Sequence, residues 1–308
     1  MNLKRKLKRQ KGSALISALI IVMVITSTIS IWIHQSQLQI KKLHFKEENQ
    51  QALWLTQGAS IWAASTLNRK SFHHTSQVIA NLDNGELKIP DGWEMRAKLI
   101  DAQSMFNINN VNERAMQLMF FLILQQQLKG ISTENLKTIY YATIQRVEPS
   151  MAPKKTSEKP EDIQVEPLAQ PLSSLSEWRQ VAGVTPKVYQ AMLPFLTVLP
   201  ETTPININTC DNKLLATLKP GLKKIDVKKL IFAKGEDGFH KSDDLFSVLQ
   251  DLKLPVQNIT INSQYFWLEI EIQTPNHRVL KYQHLLYRRM TPKGHAPYIV
   301  LLKQSQLH

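Results

Sequence analysis

The sequence predicts an α+β protein in which one long N-terminal helix packs on a small antiparallel sheet, with a large α-helical segment interrupting that sheet. Three observations carry the prediction. Residues 13–33 contain no charge, and an amphipathic helical stripe continues from them without a break. Residues 93–101 and the tail from Phe266 onward alternate apolar and polar side chains at the two-residue period of a strand. Between those strand regions only helical periods and turn signals recur.

The chain begins with six basic residues (Lys4, Arg5, Lys6, Lys8, Arg9, Lys11) and no acidic one in its first eleven positions, and Gly12 then parts them from the charge-free run. At about 1.5 Å per helical residue, 21 residues extend about 32 Å, enough to cross a hydrocarbon core of about 30 Å. A secretory signal carries a shorter apolar region, about 7–15 residues, closed by a small-x-small site. This run is longer and lacks that close, so a permanent anchor is expected. The basic end stays in the cytosol, because the far flank offers only His34, Lys41 and Lys42 nearby.

The first glycine after Gly12 is Gly58 and the first proline is Pro90, so little ends the helix before about residue 68. Leu38, Phe45, Ala52, Leu55, Ala59 and Trp62 recur along it at helical spacing, with Lys41, Lys42, Lys46, Glu47 and Glu48 expected on wetter faces. Asn84-Gly85 and Pro90-Asp91-Gly92 read as turns before the strand at 93–101. Phe106-Asn107-Ile108-Asn109-Asn110 leads into helices at 113–128 and 133–144, the second capped by Ser132 or Thr133. Residues 146–176 hold five of the 15 prolines among charged side chains, too little apolar surface to offset ordering, and read as a loop.

Two helical hairpins follow. Residues 176–181 and 186–193 flank Ala182-Gly183-Val184-Thr185, and short helices at 212–218, 226–233 and 242–249 are parted by Pro220-Gly221 and residues 235–239. Thr209, Asp211, Ser242 and Asp243 are available caps. Strands at 266–273, 279–288 and 298–303, with turns at Thr274-Pro275-Asn276 and 291–297, form an antiparallel meander whose apolar face needs the earlier strand or the long helix to cover it.

Chemistry-bearing patterns are sparse. The net charge of +13 falls to +7, 32 basic against 25 acidic residues, once the six N-terminal cations are set aside, so it does not demand a nucleic-acid partner. No phosphate loop, dinucleotide fingerprint, nucleophile elbow or zinc-helix motif occurs, and a non-enzyme is expected. The lone Cys210 can form neither an intramolecular disulfide nor a cysteine zinc site. His73-His74 reads as surface. Glu236, Asp237, Asp243 and Asp244 offer hard oxygens for Ca²⁺ but lack the EF-hand spacing, so no metal ligands are assigned and no cofactor is expected. The hairpins, with Lys187, Lys223, Lys224, Lys228 and Lys229, are similar to a helix-hairpin-helix that holds DNA phosphates. Acidic residues interrupt that basic patch, and its turn carries one glycine, so a packing role is the stronger reading.

Several strings point to one family. Lys11-Gly12 followed by Ser13-Ala14-Leu15-Ile16-Ser17-Ala18-Leu19-Ile20 resembles a type IV prepilin leader. The wider chain resembles the minor pseudopilin of type II secretion called general secretion pathway protein K. That match rests on Phe106–Asn110, on Leu175-Ser-Glu-Trp-Arg-Gln-Val-Ala-Gly-Val-Thr-Pro186 with Tyr189 and Pro194, on Thr203-Pro-Ile-Asn-Ile-Asn-Thr209 with Leu214-Leu215, and on Ser263-Gln-Tyr-Phe266. The resemblance implies a pseudopilin fold, cleavage by a prepilin peptidase between Gly12 and Ser13, and N-methylation of Ser13, although most prepilins carry Phe there. Most also carry Glu at the fifth mature position, where this chain has Ser17; protein K lacks that Glu, which fits a place at the filament tip with no subunit ahead to pair with it.

The domains expected are a leader at 1–12, a transmembrane and assembly helix at 13–33, a helix extension and first strand at 34–102, an inserted α-domain at 103–262 containing the loop 146–176, and closing strands at 263–308. The implied role is structural, a cap on a periplasmic pseudopilus that helps export across the outer membrane. Expected partners are the I and J minor pseudopilins, meeting the face from Leu38 to Trp62, the major pseudopilin and the peptidase, with secreted cargo and the outer-membrane secretin as further candidates. The site is the inner membrane, single-pass, with the bulk periplasmic. Some pseudopilins bind calcium, but no ligands transfer to positions here. The alternatives are a competence-type membrane-anchored DNA binder and an uncleaved anchor with a globular domain. Replacing Gly12 with leucine is expected to leave the leader attached, seen on an immunoblot as slower mobility than the unmodified chain in cells with the peptidase, and equal mobility without it.

Overall fold

Helix formers run from the N-terminus to Leu67 without a breaker other than glycine, and helix α1 (Lys4–Leu67) is continuous over that length. The structure, a computed structural model, describes residues 4–68, 79–82, 89, 92–147, 170–236, 238–289 and 298–307. Met1–Gln57 and Gly58–His308 form two compact units. The expected turns at Asn84-Gly85 and Pro90-Asp91, His73-His74, Asp237, the turn 291–297 and most of the proline-rich loop lie outside the described residues.

Strand β1 (Ile79–Leu82), which the sequence did not signal, pairs antiparallel with β2 (Glu94–Asp101). After β2 the chain enters the α-helical domain. Its longer elements are α2 (Arg114–Gln127), α3 (Thr133–Val147), α4 (Pro186–Met192), α5 (Asn212–Leu215), α6 (Lys224–Lys234) and α7 (Ser242–Asp251). Two parallel two-residue bridges, β3 (Phe106–Asn107) with β4 (Leu196–Thr197) and β5 (Ile205–Asn206) with β6 (Ile259–Thr260), staple its loops. Strands β7 (Tyr265–Gln273), β8 (Val279–Arg289) and β9 (Tyr298–Leu307) then complete a sheet of order β1-β2-β7-β8-β9.

The register explains the alternation. Met95, Ala97, Leu99 and Asp101 of β2 face the same side as Ile272, Ile270, Leu268 and Phe266 of β7, and all eight are buried. On β8 the same side continues through Leu280, Tyr282, His284 and Leu286, also buried. The last turns of α1 cover this face: Ala59, Ala63 and Leu67 are buried, and Ser60 Oγ lies 2.8 Å from Nδ1 of His284. Small residues on the covering side of a helix allow close approach to a sheet, which is why alanine recurs there. A bulge between Leu285 and Leu286 shifts the pairing of β8 with β9.

The α-domain has its own core. Trp178 is fully buried in it and donates from Nε1 to Thr143 Oγ1 at 3.0 Å, while the Thr143 hydroxyl donates to the Ile139 carbonyl at 2.7 Å. Phe106 stacks on Phe120 at 5.7 Å between ring centres. Several expectations shift by a residue or more: residues 175–180 form a 3-10 turn rather than an α-helix, and α6 starts two residues early. Of the proposed caps, Ser132 receives the Asn135 amide and Asp211 that of Lys213; Thr185, not singled out as a cap, receives that of Val188. Ser242 and Asp243 do not cap α7, which starts without a side-chain cap, and Thr209 is spent on another partner described below.

Gly183 sits at φ +86° in the turn before α4, where an added Cβ meets Ile139 Cγ1 of α3 at 2.8 Å. Both the positive φ and the contact demand glycine. Gly183→Ala is expected to lower stability by about 1–3 kcal/mol, measured by urea unfolding followed through intrinsic fluorescence; an unchanged midpoint contradicts the packing.

Candidate functional site

Two regions can carry the function, the anchor helix and the joint where the α-domain leaves the sheet. In the first, the side chains from Ala14 to Ile33 are exposed on every face of α1, with Trp32 at 73%. A helix apolar all round and unburied over this length fits a single-pass membrane anchor. Its hydroxyls suit one: Thr26, Ser27, Thr28 and Ser30 donate to the carbonyls of Val22, Met23, Val24 and Thr26 at 2.7–2.9 Å, leaving no polar hydrogen to be hydrated. Gly12 and Ser13 lie inside the same helix, and Ser17 stands at an exposed position of it as a neutral residue.

Beyond the span the faces sort differently from the sequence expectation. Leu38, Lys41, Lys42, Phe45, Lys46 and Asn49 line one shallow hollow, so the lysines share the face of Leu38 and Phe45 instead of standing apart from it. The steps of three and four between them explain this. Farther along, Ala52 and Ala59 are buried, Leu55 and Trp62 are half-buried, and Leu38 and Phe45 are exposed. Trp54 (69% exposed) and Ile61 (72%) are the most exposed large apolar groups on this stretch, and both lie outside the expected stripe. Their spacing of seven is itself a helical signal.

At the joint, Asp101 ends β2 and is fully buried. Its Oδ1 accepts the Gln103 amide at 2.8 Å, and its Oδ2 accepts from Thr209 Oγ1 (2.6 Å), Ser263 Oγ (2.7 Å) and Asn206 Nδ2 (2.9 Å). Burial pushes its carboxyl above the ordinary range, against those four hydrogen bonds, which favour the charged form. Arg288 of β8 supports the same corner: Nη2 donates to the Ser263 carbonyl at 2.6 Å, the guanidinium lies over Phe266 at 5.0 Å, and its charge interacts with Asp101. Burial lowers the Arg288 pKa, and Asp101 opposes that shift. Gln103 adds a second tie, its Oε1 receiving the Gln264 amide at 2.6 Å and its Nε2 donating to the Pro204 carbonyl at 3.0 Å.

The asparagine strings act as clamps. Asn110 donates to the Thr203 carbonyl (2.7 Å) and accepts the Thr203 amide (3.0 Å); Asn109 does the same with Leu172 (3.0 and 2.8 Å) and Asn208 with Phe239 (3.0 and 2.8 Å). Each carboxamide thus replaces one peptide group of a missing strand. Asn107 accepts the Leu199 amide at 3.0 Å and donates to the Glu201 carbonyl at 2.8 Å.

Other chemistry is muted. Burial pushes the Cys210 thiol up to about 12, so it is no nucleophile at neutral pH. Among the described residues no group of three His, Cys, Asp or Glu could hold a metal ion; Glu236, Asp243 and Asp244 are exposed. In the first hairpin, the amides of Val184 and Thr185 are bonded to the carbonyls of Val181 and Gly183, so they are not free to cradle phosphate. Lys223, Lys224, Lys228 and Lys229 are exposed on or beside α6, where Asp226 accepts the Lys223 amide.

Residues 104–201 match the family model of type II secretion system protein K. The chain is 27% identical over 253 residues to "Type II secretion system protein K" of Klebsiella pneumoniae, covering 75% of this chain and 77% of that one. To the protein of the same name from Pseudomonas aeruginosa it is 25% identical over 294 residues, 87% of this chain and 86% of the other. Its fold is similar to a chain in the crystal structure of the GspK-GspI-GspJ complex from the type 2 secretion system of enterotoxigenic Escherichia coli, with a TM-score of 0.60 and 19% identity over 87% of this chain and 99% of that one.

The raised Asp101 pKa sets a sign. Between about pH 4, where the unfolded carboxyl titrates, and the higher folded value, the native state binds the extra proton, so stability falls as pH rises through that window and levels above it. Asp101→Asn is expected to remove this slope while costing about 1–3 kcal/mol at pH 7, because in either orientation the amide nitrogen opposes at least one donor, the Gln103 amide in the better one. Urea midpoints measured from pH 4 to 8 check both effects; a pH profile equal to the unmodified chain's refutes them.

Proposed function

We infer the task of this chain from its family: it belongs to the type II secretion system protein K family and is a minor pseudopilin. It is a structural subunit and catalyses nothing. The observation that carries the reading further is the position of the α-domain, inserted between β2 and β7, strands that pair directly with each other from Asp101 and Phe266 onward. A pseudopilin sheet burdened by so large an insertion at one end of its central strands is suited to end a filament, because the added bulk obstructs a further subunit stacked beyond it. The subunit therefore caps the pseudopilus, and Ser17 in place of the usual Glu fits a place with no amino terminus ahead to neutralise.

The leader is cut between Gly12 and Ser13, Ser13 is methylated, and α1 sits in the inner membrane with its start in the cytosol and the rest in the periplasm. I-type and J-type minor pseudopilins bind the exposed side of α1, through Leu38, Phe45, Leu55 and Trp62 with Trp54 and Ile61 added. Ala52 and Ala59 are buried and are not counted among the contact residues. The major pseudopilin lies below, while secreted cargo and the outer-membrane secretin meet the α-domain.

Co-purification of the full chain with I-type and J-type subunits tests this directly. Trp54→Glu with Ile61→Glu is expected to lower recovery of both at least about tenfold, the scale on which interfacial aromatic anchors act, with the urea midpoint of the isolated chain unchanged. Full recovery removes these residues from the interface, and no recovery with the unmodified chain removes the partnership.

A further inference from the structure

The lysines that share the hollow with Leu38 and Phe45 have no role in the reading above. We propose that Lys41 and Lys42 form a binding site for the phosphate of an anionic phospholipid headgroup, in the leaflet at which α1 leaves the membrane. The inference rests on the reading that residues 13–33 span the bilayer.

Three observations carry it. First, position: α1 is unbroken across the span and beyond, so Lys41 follows Ile33 by eight residues, about 12 Å along the axis. The headgroup layer is about 5–7 Å thick on each side of the hydrocarbon. Helical side chains lean toward the N-terminus, here toward the bilayer, and a lysine stem of about 6 Å covers the remaining distance of about 5–7 Å. Both ammonium groups thereby reach phosphate level. Lys46 stands about 20 Å past Ile33 and does not.

Second, charge: Lys41 and Lys42 are exposed, and among the described residues no carboxylate pairs with either. On this stretch of α1, His44 Nδ1 lies 3.6 Å from Glu47 Oε2, farther from the span than Lys41 and Lys42. Third, continuity: Trp32 stands exposed at the end of the apolar run, where an indole marks the interface, and Leu38, also exposed, lies on the lysine face between it and Lys41. An apolar side chain on the bilayer side of paired cations matches a lipid whose phosphate lies outside its acyl chains.

Native mass spectrometry of the full chain from micelles containing equal amounts of phosphatidylglycerol and phosphatidylcholine tests the site. The basic residues from Lys4 to Lys11 also attract anionic lipid, so the readout is the change caused by substitution. Lys41→Gln with Lys42→Gln is expected to lower the ratio of anionic to neutral adducts about tenfold, with Lys46→Gln changing it less than about twofold. High salt reduces the difference. A ratio unaffected by the double substitution, or lowered equally by Lys46→Gln, overturns the proposal. Displacement of the lipid by millimolar inorganic phosphate assigns the site to free phosphate and also overturns it. Alkaline carbonate extraction keeps the two readings apart: a chain that is extracted has no span, whereas a retained chain with an unaffected ratio lacks only the headgroup site.

Discussion

One buried carboxylate holds the two halves of the globular unit in register. β2 and β7 are neighbours in the sheet, yet the chain leaves at Asp101 and returns only at Tyr265, after the whole α-domain. Closing so long an excursion is an entropic burden that grows slowly with length, and it is met at one corner. Asp101 gathers donors from its own turn (Gln103), from the end of β5 and the loop after it (Asn206, Thr209) and from two residues before the return (Ser263). A carboxyl in that position is tolerable only with every donor in place, since an unpaired buried charge is far costlier than any single hydrogen bond is stabilising. The corner therefore favours one arrangement of domain and sheet over others that would leave it unsatisfied.

The same logic runs through the α-domain at lower stakes. Its short helices and two-residue bridges leave many loop peptide groups without regular partners, and asparagine carboxamides supply them. Asn109, Asn110 and Asn208 each satisfy both the amide and the carbonyl of one residue on a distant loop. Serine could offer only a single oxygen, and glutamine would add a methylene that the buried sites do not accommodate without shifting. Two strings of the sequence that looked like family markers are thus the loop fasteners of the domain.

Helix α1 meets two solvents with one backbone. Hydroxyls bonded to carbonyls a turn earlier and a complete lack of burial fit its first half for lipid, and alanines that admit a close sheet fit its last turns for the core. Its large apolar groups Trp54 and Ile61 are exposed, whereas Ala59 and Ala63 are buried. A single element thus carries an all-round apolar length, a covered side and an exposed apolar side.

The period of side chains along the chain was enough to establish the long helix, the strands β2, β7, β8 and β9, the helical character of the insertion and the charge-free span, because each depends on local spacing and on a uniform environment. The leader motif and the family strings were legible for the same reason, being contiguous. Tertiary structure decided what contiguous spacing cannot encode. Asp101 looked like the last residue of an alternating strand, and its four donors come from segments separated by as many as 162 positions. The alanine stripe and the Trp54–Ile61 side of α1 are equally periodic; only burial tells which side the sheet has taken. By spacing alone Lys41 and Lys42 belong to a polar flank, whereas the helix sets them beside Leu38 and Phe45. A hydrogen bond or a covered face belongs to pairs of residues distant in the chain, and such pairs exist only once the chain has folded.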